Sequence, residues 1–421
     1  MKILVVSLLR IGDLILHQEI IRSIRREHPT GRISCLINDT VVAACDLIPE
    51  VDEWIIFDRK DLQKKMNQRQ RWIFLPVLCI ENLIHELKSR QFDQVVNLTH
   101  SVISGHFCAL LKSVNTEVRG LCLDSDGKMI QDLSSVQRTQ AMSYFNHQWS
   151  VEKMPLLHYT EILSLVSGYS LDHLAPTLER GKKSSVISFQ ILTSDERKHF
   201  DLEKWFDLIF FLKQKMPSFE MQILCSLEEA NQMEKNIDTI SQRKLGSAFQ
   251  GLKVTACSLF ESIELIQQSA VFISHDTSLL HLAARTATPI VQISLGASHI
   301  YKTSSISAGT VVLTARRSCF PCAHQGSCHL PKFECHEDIR PEDLLSAIQF
   351  QLEKNQHELL SSLSMVQIVD GLWWLQNKSQ RNFSIKQALY FSLGGQLQSG
   401  QFSKGVSFES RNSESFNATI G

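Results

Sequence analysis

Neither sign of charge dominates this chain. Its 43 Lys and Arg stand against 44 Asp and Glu, which argues against a nucleic-acid partner and against an acidic solvating protein. Also missing is any run of the roughly 18 apolar residues that a membrane span requires. The N-terminus goes straight into a short apolar run broken by Arg10 and Asp13, so no secretory signal is read there, and no repeat of solenoid type is present. These absences lead us to expect a cytoplasmic protein whose partners must be argued locally. At 421 residues the chain exceeds one ordinary core and suits two domains. Most of its 11 cysteines sit singly in apolar segments, as Cys35, Cys79 and Cys225 do, where reduced thiols act as small hydrophobes.

What the sequence does have is alternation. Lys2 to Ser7 reads as a buried strand and Leu14 to Arg26 as a helix that His28-Pro29 closes. Strands follow at Arg32 to Ile37, Glu53 to Phe57 and Phe92 to Leu98, with helical stretches between them. The polar segment "SGYSLDHLAPTLERGKK", Ser167 to Lys183, reads as a linker. A second series then runs through strands at Ser185 to Phe189, Met221 to Cys225, Ala270 to Ser274 and Pro289 to Ser294. Its helices are expected near Leu202 to Lys215, Ser258 to Ser269 and Leu279 to Arg285. Strands alternating with helices predict parallel sheets covered on both faces. The expectation is an α/β chain of two doubly wound, Rossmann-like domains, 1–167 and 184–350, facing each other across a cleft. Residues 351–421 read as a helical extension holding Trp373-Trp374, followed by a poorly ordered Ser/Asn/Gln/Gly-rich tail.

Two stretches carry candidate chemistry. In open α/β sheets ligands sit beyond the carboxyl ends of the strands, and "SLLRIGDLIL", Ser7 to Leu16, lies at such an end. Gly12 there allows a tight turn or a close approach, and Asp13 faces the cleft mouth; capping of the helix by Asp13 is the alternative. The second stretch places Asp276 and Thr277 before a helix that starts near Ser278 and holds His281. Unpaired N–H groups and hydroxyls at a helix start favour a phosphate, and the Asp276 carboxylate suits sugar or ribose hydroxyls. Capping by Asp276 or Thr277 is again the alternative.

Three further features stay open at this level. Cys319, Cys322, Cys328 and Cys335, with His324, His329 and His336 among them, read either as a structural zinc or iron site or as free thiols or a disulfide. Lys60, Lys64, Lys65, Arg69 and Arg71 lead into Trp72 to Leu75 and read as a solvated helix face or as a contact with an anionic lipid surface. Asp124-Ser125-Asp126 with Gly127 reads as a turn.

In order and spacing, four blocks resemble the heptosyltransferases of glycosyltransferase family nine, over about residues 1 to 350. These are "MKILVVSLLRIGDLILHQEIIRSIRREHP", Lys198-His199-Phe200-Asp201 with Trp205 following, Asp276 to Ala284, and "CFPCAHQGSCHLPKFECHEDIRPEDLL". The resemblance implies a GT-B fold and transfer of heptose from ADP-heptose to a lipopolysaccharide core–lipid A acceptor at the inner face of the inner membrane. It also implies inversion, with no cofactor required for catalysis. It makes Asp13 the general base and puts Lys198, Thr277 and Ser278 on the donor diphosphate. Asp276 falls on the donor sugar, and His281 beside the donor. The chain departs from the family pattern at Ser278, where the family has glycine, at Asp201, where it has proline, and at Ala297-Ser298, where it has Pro-Thr. Two alternatives remain: a protein-directed heptosyltransferase of the same fold, and a non-catalytic sugar-nucleotide-binding scaffold.

Overall fold

The computed structural model describes the chain from Met1 to Leu375 except residues 68–74, 131, 133, 152–154, 156, 172–183, 244–251, 308–309, 316, 318, 324–326, 329, 331–332, 354–365 and 370–371. The first lobe runs β1 (Lys2–Ser7), α1 (Ile11–Glu27), β2 (Arg32–Asn38), β3 (Glu53–Phe57), α2 (Arg59–Asn67), α3 (Leu75–Ser89), β4 (Gln94–Asn97), α4 (Val102–Leu111), β5 (Glu117–Arg119), α5 (Val136–Tyr144) and α6 (Tyr159–Ser167). The second runs β6 (Val186–Gln190), α7 (Leu202–Lys215), β7 (Glu220–Cys225), α8 (Leu227–Arg243), β8 (Leu252–Ala256), α9 (Leu259–Gln267), β9 (Val271–His275), α10 (Ser278–Ala283), β10 (Ile290–Ser294), α11 (Ile300–Thr303), β11 (Val311–Thr314) and α12 (Pro341–Glu353).

Strands in the first sheet are ordered β3-β2-β1-β4-β5 and all pair in parallel. In the second, β11-β10-β9-β6-β7-β8 are likewise parallel, so both expected doubly wound lobes are present. Five strands, β5, β8, β11 and two at the edge of the second sheet, were not expected. Two of them, β5 and β8, are edge strands with half-buried or exposed side chains, and therefore lack an apolar pattern to read.

Helix α1 is buried almost all round. Leu14, Ile15, Leu16, Ile20, Ile21 and Ile24 are in the core, and so are the polar His17, Gln18 and Ser23. The reason is its position: it packs on α6 and on α10 of the other lobe as well as on its own sheet. One hydrophobic cluster therefore runs from Ile3 and Val5 through α1 and α6 to Leu280, Ala283 and Ile290 of the second lobe. Each fully buried Leu or Ile contributes about 1.5–3 kcal/mol, so the lobes meet through a shared core as well as across a cleft.

Two expectations are corrected. The linker read from Ser167 onward begins as packed structure: Ser167 ends α6, Gly168 caps it in the left-handed conformation (φ 72°), and Tyr169 is fully buried. Trp373 and Trp374 lie not on a helix but on β13 (Leu372–Leu375), which pairs antiparallel with β12 (Val366–Val369) at the edge of the second sheet. The signal for this was in the sequence, since Asp370-Gly371 between two β-branched or aromatic runs is a hairpin pair. The tail beyond Leu375 lies outside the described residues, as do Arg69, Arg71 and Trp72 to Phe74 of the basic run. Asp124 does form the expected turn, its Oδ1 accepting from the Asp126 and Lys128 N–H groups.

Candidate active site

Each sheet reverses its winding once. In the first, β1 lies between β2 and β4; in the second, β6 lies between β7 and β9. Ligand crevices form at such switch points. Helix α1 follows β1, the turn bearing Lys198 follows β6, and Asp276-Thr277 follow β9, so the candidate base and the candidate donor-binding residues fall at one switch point or the other.

The two points touch at Gly12. It lies inside the first turn of α1 rather than in a tight turn before it, because the helix starts at Ile11. A Cβ on Gly12 would stand 3.1 Å from His281 Cδ2 and 3.8 Å from Ser278 Cα. The glycine is thus where one lobe's helix admits the other lobe's side chain.

Around Asp276 the second lobe builds a dense polar cluster. Its Oδ2 accepts from Lys198 Nζ at 2.8 Å, Ser298 Oγ at 3.2 Å and Thr303 Oγ1 at 3.4 Å, while His281 Nε2 lies 3.6 Å from Oδ1. Burial alone would raise this carboxyl, but Lys198 and His281 outweigh it and hold Asp276 below the usual carboxylate range. Thr277 is the N-cap of α10, yet its hydroxyl does not cap: Oγ1 donates instead to Gln190 Oε1 at 3.1 Å. Ser278 opens α10 against Gly12. Asp201, where the family pattern has proline, N-caps α7, its Oδ1 accepting from Glu203 N at 2.8 Å. Gly296 is the one residue that fits its place. Its φ is 54°, and a Cβ there would fall 1.9 Å from the Arg197 carbonyl oxygen.

Across the contact, Asp13 does cap, and from a different position than expected. As the third residue of α1 it accepts the Arg10 N–H at Oδ2, 3.2 Å away. Burial raises its carboxyl; the Arg10 bond and His281 lower it, Asp276 raises it, and the net shift is upward. One turn on, His17 is fully buried and neutral, its imidazole depressed to about 3 by burial and by His100. Tyr159 donates its hydroxyl proton to Leu98 O at 3.2 Å. Nε2–H of His17 therefore donates to Tyr159 Oη at 3.0 Å, and the Ser7 hydroxyl donates to Nδ1 at 2.8 Å.

A model of glycosyltransferase family 9 (heptosyltransferase) matches residues 80–332. The chain belongs to this family. Solved structures with the same fold include E. coli ADP-heptose lps heptosyltransferase II, at 15% identity over 85% of this chain and 100% of that one, with a TM-score of 0.51. The family 9 glycosyl transferase of Veillonella parvula aligns at 13% identity over 84% and 98%, with a TM-score of 0.54. E. coli heptosyltransferase WaaC, solved with ADP-2-deoxy-2-fluoro heptose, aligns at 14% over 84% and 100%, with a TM-score of 0.52. Comparison with curated proteins gives no match. The chain is thus a heptose-transferring glycosyltransferase of GT-B architecture.

In this family 9 enzyme the cysteine-rich loop packs against the Lys198 side of the site. Cys322 N donates to Gly296 O at 2.8 Å, and Arg197 Nη1 donates to Ala323 O at 2.8 Å. All four cysteines of the loop are free thiols, so the disulfide reading does not hold. Cys335 is buried, and burial, followed by the nearby Cys322, Cys328 and Cys319, raises its thiol. Among the described residues no three metal-ligating side chains come within reach of one ion, and His324 and His329 lie outside those residues.

Several site residues carried no sequence signal. Gln190 and Thr303 bond to Thr277 and Asp276 from separate elements, while Ser298, noted only as a departure from the family pattern, also bonds to Asp276. Ser7, His17 and Tyr159, from three elements, are joined by hydrogen bonds one turn along α1 from Asp13. Only the i, i+4 spacing of Asp13 and His17 hinted at a shared helix face.

Proposed function

We propose that the enzyme transfers heptose from ADP-heptose to a lipopolysaccharide inner-core acceptor, with inversion and without a metal ion. The observation that carries this reading is Gly12 against His281. It brings Asp13, a carboxylate whose proton affinity is raised, to the same junction as the Lys198–Asp276–His281 cluster. A general base works best when its pKa lies near the working pH, and burial moves Asp13 in that direction.

In this reading the donor exchanges partners with the resting cluster. The diphosphate takes Lys198 away from Asp276 and accepts the Thr277 and Ser278 hydroxyls, and the freed Asp276 takes hydroxyls of the donor sugar. As the sugar–diphosphate bond breaks, negative charge grows on the leaving ADP and Lys198 stabilises it. Asp13, on the opposite lobe, removes the acceptor hydroxyl proton as that oxygen attacks from the far side, which inverts the anomeric centre. The exposed Lys60 and Lys64 of α2 suit an anionic surface such as the inner face of the inner membrane.

The test is Asp13→Asn. Removing a general base costs about 10²–10⁴-fold in turnover, while ADP binding should persist, and a chelator should leave wild-type turnover unchanged. Wild-type protein that binds ADP-heptose without transferring it to inner-core acceptor, or a variant that keeps full turnover, overturns the reading.

A further inference from the structure

After β10 the chain passes along the junction of the lobes as a strap, Ser298 to Ser305, that is bonded on both sides. On the donor side, Ser298 Oγ and Thr303 Oγ1 donate to Asp276 Oδ2 at 3.2 Å and 3.4 Å. Two other bonds reach the first lobe. Lys302 Nζ donates to Ser150 O at 3.0 Å. His158, whose Nδ1 accepts the Thr160 N–H, donates from Nε2 to Ser304 O at 3.2 Å. Helix α11 forms the middle of the strap, so the residue that grips the first lobe and the residue that touches Asp276 are neighbours in one turn.

The charge on Lys302 is the informative part. Lysine is almost never fully buried, yet this one is only 9% exposed. Its ammonium lies 4.8 Å from the centroid of the Trp149 ring, within the range over which an aromatic face attracts a cation. The indole is itself held in place. Its Nε1 donates to Leu157 O at 2.7 Å, and the ring packs on Phe145 and Tyr159 at 5.0 Å and 5.9 Å between centroids. Burying a lysine costs hydration and rotamer freedom, and an apolar side chain would fill the same space without losing the hydration. What the ammonium adds is direction, because a bond to one carbonyl and a fixed ring face sets where α11 sits against the first lobe.

We propose that Lys302 is a positioning residue for the donor sugar. By pinning α11 to Trp149 and Ser150 of the first lobe, it holds the Thr303 hydroxyl on Asp276 and so fixes the direction of the carboxylate that takes the sugar hydroxyls. This rests on the transferase reading for what Asp276 binds. In that reading Lys198 leaves Asp276 for the diphosphate, and the strap hydroxyls then orient the carboxylate. The donor site thereby depends on the lobe arrangement, because the strap holds Asp276 only while it is anchored on the first lobe.

The experiment measures calorimetric binding of ADP-heptose and of ADP to the full chain as wild type, Lys302→Met, Thr303→Val and the double variant. Methionine keeps an unbranched side chain over the indole and lacks the charge and the donor, while valine keeps the shape of threonine without its hydroxyl. Each single variant should bind ADP-heptose about fivefold more weakly, the effect of one hydrogen bond. Affinity for ADP, which lacks the heptose, should not change. Because Lys302 acts through Thr303, the double variant should bind no more weakly than the worse single one. Equal weakening of ADP and ADP-heptose, unchanged ADP-heptose affinity in either single variant, or losses that multiply in the double variant overturn the proposal. Should Lys302→Met fail to fold, Lys302→Gln takes its place, and there a selective loss of ADP-heptose supports the proposal and no loss overturns it.

A second readout needs no ligand. In urea, Lys302→Met and Asp276→Asn combined should lose less stability than the sum of their separate losses, and Thr303→Val should abolish that coupling. Strict additivity, or coupling that survives Thr303→Val, overturns the proposal. Should wild-type protein fail to bind ADP-heptose or to transfer heptose, the transferase reading falls by itself. The unfolding comparison still decides whether Lys302 acts on Asp276.

Discussion

Lys198 Nζ lies 2.8 Å from Asp276 Oδ2, on a carboxylate whose side chain is only 6% exposed. Burial would raise Asp276, yet the neighbouring cations hold it below the usual range. A depressed carboxyl contributes stability that is present above its unfolded pKa and is lost as pH falls through the folded one. Lys198→Met removes the main cation, so burial prevails and Asp276 rises. Breaking a buried pair costs 3–5 kcal/mol; we expect about 3 kcal/mol, the low end, because the Lys198 side chain keeps 22% exposure. The deficit should be largest at neutral pH and shrink as the solution is acidified and Asp276 takes up a proton. Urea melts of both proteins from pH 7 to pH 4 check this, and ADP affinity should fall alongside.

Asp13 carries the opposite shift. Its folded carboxyl lies above the usual value, chiefly through burial. The stability it lends is therefore complete below the unfolded pKa and lost as pH rises through the folded one. At neutral pH the ionised group works against folding, so Asp13→Asn should melt higher than wild type there, with the gain vanishing in acid. Catalysis needs the ionised form. The kcat/KM profile should then fall on its acid side through an apparent pKa above the ordinary carboxylate value of about 3.9. That limb should be missing from the residual activity of Asp13→Asn.

How much of this could be read beforehand follows from where each signal resides. Apolar runs such as Ile3 to Val6 and Val271 to Ile273 are local, and both became central strands. The Asp13 and Asp276-Thr277 sites were legible because strand-to-helix turns in such sheets point toward ligand by construction. Edge strands β5 and β8 were not, since half-exposed residues need no apolar pattern. Gly12 was singled out for a different reason from the one that holds. The sequence shows a glycine near a helix start, but only the fold brings His281 against it.

Gly12→Ala follows from that contact. In a helix, alanine is favoured over glycine by about 0.8–1 kcal/mol, so this variant should fold well. Its new methyl would lie 3.1 Å from His281 Cδ2, tighter than ordinary contact, and the ring or the helix must yield by a few tenths of an ångström. Helix propensity offsets the strain, and the melting temperature should change little. The site residues on the two lobes are held farther apart, however, and misplacement of this size costs about tenfold in kcat. Steady-state kinetics with the melting curve distinguish this from a variant that merely unfolds.

Tyr159 links the floor of the site to both central strands of the first lobe. Its hydroxyl bonds to Leu98 O, just past β4, and receives the His17 Nε2 proton, while His17 receives that of Ser7, the last residue of β1. Tyr159→Phe keeps the ring among Phe145 and Trp149, 6.4 Å and 5.9 Å away between centroids, so packing survives and only the bonds are lost. The His17 N–H is left buried and unpaired, at about 1–3 kcal/mol. Because His17 lies one turn beyond Asp13 on α1, the loss should also loosen Asp13. Two measurements test this together. Thermal unfolding should show the lowered stability, and kcat should fall by more than the donor KM changes. Loss of stability with unaltered kcat would leave the network a structural role alone.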